Sequence, residues 1–166
     1  DREEIIVRQK EIYDGAIPSG NSIAMLNLLR LGRITADSSL EEQAARTSRA
    51  FFGNIKQMPS AYTQLMAAVD YALGPAYELV IVGDSEAKDT KEMLREIHRR
   101  FMPNKAVIFV PTEVSSPEIW SIAPFTRQHM SLEGKATAHV CVHYNCRLPT
   151  TEIDTIINEL QGSTIK

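Results

Sequence analysis

Glu11, Asp14, Ser19 and Asn21 lie in one short stretch with Arg8 and Lys10 just ahead of them, and Gly15, Pro18 and Gly20 keep the backbone there irregular. Carboxylates accept hydrogen bonds, an amide and a hydroxyl do both, and a guanidinium holds an anionic group, which together suit a sugar-like ligand. Arg8, Glu11, Asp14, Ser19 and Asn21 are therefore the candidate substrate-binding residues. The same residues also have a structural reading. Asp14-Gly15 makes a turn, Ser19 or Asn21 caps the helix that follows, and Pro18 with Gly20 sets its entry angle. Read as a carboxylate pair, Glu11 and Asp14 suggest a glycosidase, an idea that their spatial separation decides.

A second pattern is His139-x-Cys141-x-His143-x-x-Cys146, whose imidazoles and thiols are zinc-type ligands. On one extended strand these four would spread over roughly 13 Å unless the chain bends near Asn145. A Cys141–Cys146 disulfide needs the same reversal. The expectation is buried or redox-sensitive thiols with no metal and no cofactor. No Cys-x-x-Cys pair exists, and His98, His129, His139 and His143 all fall in the second half, so no catalytic set is assigned and enzyme activity stays open. Gly83-Asp84-Ser85 stands where a strand meets a helix, but without a glycine-rich fingerprint, and Asp84 suits a helix cap better than an anion site.

The elements that must position these groups follow from periodicity. Ile5, Ile6 and Val7 suit a short strand or extended entry over 4–10. An apolar helix over 22–31 ends at Gly32. A second begins at Ser38 or Ser39, each three residues before a glutamate, and carries Leu40, Ala44, Ser48, Phe51, Ile55 and Met58 on one face up to Pro59. A third follows Ser60 with a stripe of Tyr62, Leu65, Met66, Val69 and Leu73, and stops at Gly74-Pro75. Three antiparallel helices result. Beyond Pro75, residues 78–83 read as a buried strand, followed by a helix with Thr90, Leu94, Ile97 and Phe101 on one face and a strand over 106–110, a parallel strand-helix-strand unit. Ala138, Val140, Val142 and Tyr144 mark a third strand, and Ile153, Ile156, Ile157 and Leu160 a last helix. Trp120, Ile119, Ile122 and Phe125 form a core plug or a contact with another domain. The fold class is α+β, with a helical lobe over 1–75 and a small, three-layer-like α/β lobe over 76–166.

The chain has 166 residues and a formal net charge of -3 with mixed signs, which excludes a dominant attraction to nucleic acid or an anionic membrane. Its apolar runs are too short to span a bilayer and it opens without a secretory signal, so the expectation is a soluble, cytoplasmic protein. The opening Asp1-Arg2-Glu3-Glu4 reads as a cut from something longer.

The strings Tyr13-Asp14-Gly15-Ala16-Ile17-Pro18-Ser19-Gly20-Asn21-Ser22, Val80-Ile81-Val82-Gly83-Asp84 and Pro103-Asn104-Lys105, and Cys141 with Cys146 and Pro149, now carry a resemblance. The chain resembles the C-terminal region of the thioredoxin-domain-containing, spermatogenesis-associated family. That resemblance implies a thioredoxin-like domain followed by an α/α toroid similar to sugar epimerases and six-hairpin glycosidases, with this chain supplying the closing helices and a terminal α/β piece. It implies the upstream thioredoxin-like and toroid parts as partners and a noncatalytic structural or docking role. The alternative is one wall of a carbohydrate-binding or carbohydrate-processing pocket, with a small sugar-like ligand at the 8–21 loop. A part of a toroid should also expose an apolar helix face and self-associate.

Overall fold

The computed structural model describes residues 10–115 and 117–161; Arg8 and the extended entry expected over 4–10, apart from Lys10, lie outside the described residues. Helix α1 (Gly20–Thr35) starts at Ser19, whose Oγ accepts from Ser22 N at 3.1 Å. It does not end at Gly32. It runs on to Ala36, which takes a left-handed conformation with φ 58° and donates back to the Gly32 carbonyl. Gly32 serves close approach instead, because a Cβ there would meet Glu41 Cγ at 2.8 Å and the Asp37 carbonyl oxygen at 3.2 Å. Gly32→Ala should therefore cost about 1–2 kcal/mol net, overpacking outweighing the helix-propensity gain. Urea unfolding checks this, and an unchanged midpoint would mean that Glu41 yields without cost.

Helix α2 (Ser38–Gln57) is capped by Asp37, whose Oδ1 accepts from Ser39 N at 2.9 Å. Neither expected serine capping box forms: the left-handed Ala36 brings Asp37 into the cap position, while Glu41 turns to Arg33 and Glu42 to Arg46. A 3-10 turn (Pro59–Ala61) leads into α3 (Thr63–Leu73). Helix α1 lies between its two neighbours, packing on both, and buries Met25, Leu29, Ala44, Leu65, Ala68 and Tyr71 among the three. The buried face of α3 is rotated from the expected stripe. Leu65, Ala68 and Tyr71 face α1, whereas Leu73 is 82 % exposed, because α3 has a helix on one flank only.

The sheet comprises β1 (Tyr77–Gly83), β2 (Lys105–Pro111), β3 (Thr137–Val142) and β4 (Asn145–Cys146) in the order β2-β1-β3-β4. β1 pairs parallel with β2, with α4 (Lys88–His98) between them in sequence, and antiparallel with β3. The chain is thus α+β with a mixed sheet containing a parallel pair. One sheet face presents Leu79, Ile81, Ala138 and Val140 to α4 and to the last helix, α6 (Ile153–Gln161). Thr90, Met93 and Ile97 form the buried side of α4, and Phe101, expected there, is 93 % exposed beyond the helix end. The other face presents Val80, Val82, Ile108 and Val110 to Ile34 of α1 and to Ile119, Trp120 and Phe125. Those aromatics come from the short helix α5 (Ile119–Ile122) and the 3-10 turn Pro124–Gln128, so the plug is a lid on the sheet, without Ile122, which is 53 % exposed. Asp84 does not cap α4. Its Oδ1 accepts from Glu86 N in a turn, and the cap position belongs to Ala87.

Candidate functional site

The Asp14 loop is held from within. Asp14 Oδ1 accepts from Ser19 N at 2.9 Å and Oδ2 from Leu65 N at 3.0 Å, joining the loop to the start of α3. Its own N–H donates to the Ala61 carbonyl at 2.9 Å. Burial alone would raise the Asp14 pKa, but the Ser19 and Leu65 amides, helped by the Ser22 hydroxyl, hold it below the ordinary carboxylate value. Ser19 Oγ is shared between Ser22 N and Ser22 Oγ, and Asn21 Nδ2 donates to the Glu11 carbonyl at 2.7 Å. Asp14 and Ser19 are buried, and Glu11 is exposed. Four of the five candidate binding residues thus come together, with most of their polar atoms directed at backbone; Arg8 lies outside the described residues.

A cleft of about 560 Å³ opens elsewhere, with α1 as its floor and α2 and α3 as its walls. Met25, Leu29, Phe52, Ile55, Met66 and Leu73 make it largely apolar. At one end sit Arg33, Glu41 and Tyr71. Arg33 is buried, with Nε 3.0 Å from Glu41 Oε1 and Nη1 3.7 Å from Oε1 of Glu78, a carboxylate buried on β1. These are ion-pair distances without hydrogen-bond alignment, since both Oε1 atoms lack a hydrogen-bond partner. The Tyr71 hydroxyl is also buried and unpaired. Burial raises the Glu78 pKa, opposed by the Tyr144 N–H and Arg33, and raises those of Tyr71 and Tyr144, the latter to about 12. The phenols are therefore neutral at physiological pH.

Glu78 links this cluster to the cysteines. β3 reverses at His143 and Tyr144, both left-handed with φ 50° and 62°, rather than continuing through Tyr144 as expected. Glu78 Oε2 accepts from Tyr144 N at 3.3 Å, and the Tyr144 hydroxyl donates to the Gly32 carbonyl at 2.9 Å, so β1 and α1 both pin the turn. The reversal sets Cys141 opposite Cys146, where they form a disulfide. Val142 and Asn145 face each other next to the turn, and Arg147 N donates to Val140 O, which leaves Cys141 and Cys146 the close, non-hydrogen-bonded pair between them. His143 is carried to the exposed tip, away from the sulfurs. His129, from the lid, takes its place: Nε2 lies 3.6 Å from Cys146 Sγ and the ring stands edge-on to His139 with centroids 4.6 Å apart. Burial lowers both histidine pKa values, keeping the rings neutral near pH 7.

The chain is similar to Spermatogenesis-associated protein 20. It is 33 % identical to the Homo sapiens protein over 146 residues, 88 % of this chain and 18 % of that protein. It is 30 % identical over 149 residues to both the Rattus norvegicus and Mus musculus proteins, covering 90 % of this chain and 19 % of each relative. The chain thus spans about a fifth of the length of the curated relatives it matches, as a fragment of a bigger protein would. No protein-family model and no solved structure matches it. Among the described residues, no helix is long and apolar enough to cross a membrane.

Sequence reasoning did not single out Arg33, Glu41, Glu78, Tyr71, Tyr144 or His129 as a site. Glu78, a lone acid in an otherwise apolar strand, was the one available signal, since a buried carboxylate requires a partner.

Proposed function

We propose that the chain is a noncatalytic structural and docking part of a larger protein, whose helical cleft seats an amphipathic helix from elsewhere in that protein. The observation that carries this reading is the apolar groove between α2 and α3, walled by Phe52 at 63 % and Leu73 at 82 % exposure. Helix faces of this kind are ordinarily covered. The covering helix comes from the remaining four-fifths of a protein as long as the relatives, and the toroid and upstream thioredoxin-like domain implied by the sequence resemblance supply such segments. Asp14 favours the structural role over a carbohydrate wall, because both its carboxylate oxygens already bind backbone amides. The compartment proposed is the cytoplasm.

Sedimentation of the isolated chain tests the proposal. The chain should self-associate with rising concentration through the bare groove, and a Phe52→Glu/Leu73→Glu chain should stay monomeric with an unchanged circular dichroism spectrum. In the longer protein the same pair should lower the unfolding midpoint and speed hydrogen exchange in α2 and α3. A monomeric native chain, together with a longer protein indifferent to both charges, would sink it.

A further inference from the structure

We propose that reduction of the Cys141–Cys146 disulfide converts this hairpin into a zinc site whose protein ligands are Cys141, Cys146 and His129, with the fourth position open to water. The two sulfurs face one side of the hairpin, and the lid brings His129 over them. One ligand atom from each of the three residues lies within 4.8 Å of the others. In a tetrahedral site with Zn–S about 2.3 Å and Zn–N about 2.0 Å, sulfur and nitrogen stand about 3.5 Å apart. His129 Nε2 is already 3.6 Å from Cys146 Sγ.

The imidazole carries a second, independent indication. His129 is buried at 7 % exposure, the Phe125 and Thr126 backbone carbonyls stand by its ring without hydrogen-bond geometry at Nδ1, and its Nε2 has only the distant sulfur. A metal on Nε2 would replace that distant contact with a coordinate bond, and the neighbouring carbonyls are the usual acceptors for the proton that a metal-bound imidazole keeps on its other nitrogen. His139 is not a ligand. Its Nε2 contacts the Met130 carbonyl at 3.0 Å, and its ring braces His129 edge-on. Cys146 is exposed, which gives the metal an approach and the fourth position access to water. The proposal does not depend on the docking role of the helices.

The chemistry balances with a dithiol reductant. The dithiol passes two electrons and two protons to the Cys141–Cys146 bond and closes its own disulfide, leaving two thiols. Zinc then forms two Zn–S bonds and one Zn–N bond, and the two thiol protons leave to solvent. Oxidation of the thiolates by a disulfide oxidant reverses the sequence and expels the ion.

The test is to reduce the chain with dithiothreitol, remove the reductant without oxygen, and titrate zinc against a competing chelator. One zinc should bind per reduced chain and none to the oxidised chain. Cobalt should give thiolate charge-transfer absorption and the intense visible bands of four-coordination. His129→Gln should weaken zinc binding at least tenfold, His129→Cys should restore it, and His143→Gln should leave it unchanged. Equal binding by the oxidised chain, no binding by the reduced one, or the same loss from His143→Gln as from His129→Gln would overturn the assignment. Should His129→Gln fail to fold, the native chain's cobalt spectrum and the release of two protons per zinc decide instead, and the absence of either overturns it.

Discussion

Arg33→Met should lower the unfolding free energy by about 3–5 kcal/mol at pH 7, because it leaves the buried Glu78 without its cation and takes from Glu41 a contact at 3.0 Å. The loss should depend on pH in a definite direction. The folded-state pKa of Glu78 is raised above its ordinary 4.5, so ionising this group works against the fold. Below about pH 4.5 the carboxyl is protonated in both states and the orphaned group costs little. As pH rises through the elevated folded value the deficit should grow, and Arg33→Met should be most unstable above it. Adding Glu78→Gln should recover much of the loss and flatten the profile. Urea unfolding of native, single and double variants between pH 4 and 8 provides the measurement. A deficit in Arg33→Met that does not change with pH would show that Glu78 is not the group left behind.

Asp14→Ala comes next in size, at about 3 kcal/mol. The substitution strips two buried amides, Ser19 N and Leu65 N, of a charged acceptor in one step. Asp14 has a folded pKa held below its ordinary 3.8, so its contribution is complete above that value and drains away as pH falls through the lower folded value. The native chain should therefore lose stability in acid more steeply than Asp14→Ala, which keeps only the shallower limb of the other carboxylates with lowered values, such as Asp89. If instead the variant keeps native stability, the carboxylate is not the strut described above and the sugar-binding reading of the loop gains ground.

The strand-helix-strand unit was legible because its two strands are continuous apolar runs, and period marked α6 and the body of α2, whose start was read from capping boxes that do not form. Gly32 misled because a glycine that ends a helix and a glycine that admits a neighbouring helix look the same in one dimension; only the proximity of Glu41 and the Asp37 carbonyl separates them. The hairpin was hidden for a related reason. Its two left-handed residues are His143 and Tyr144, where glycine or asparagine would have announced the turn, and the carboxylate and carbonyl that pin Tyr144 come from β1 and α1. At the Asp14 loop the types of the polar groups were readable, and so was the cap at Ser19, but not the reach of Asp14 to Leu65, 51 positions away. His129 beside the cysteines is likewise a product of the lid's return over the sheet, which no spacing encodes. The cleft between α2 and α3 depends on which helix lies in the middle, and amphipathic stripes do not state that order.

The central place of β1 has a consequence for how the chain is made. Tyr77–Gly83 is buried along its whole length, and one of its two edges is closed only by Thr137–Val142. On a ribosome the strand therefore emerges well before the partner that completes it. During that interval an apolar strand offers an unpaired backbone edge to any neighbouring nascent chain, the circumstance in which such edges aggregate and holding chaperones are needed. Closing the contact across so many residues also costs loop entropy that the pairing repays only once it has formed, which prolongs that exposure.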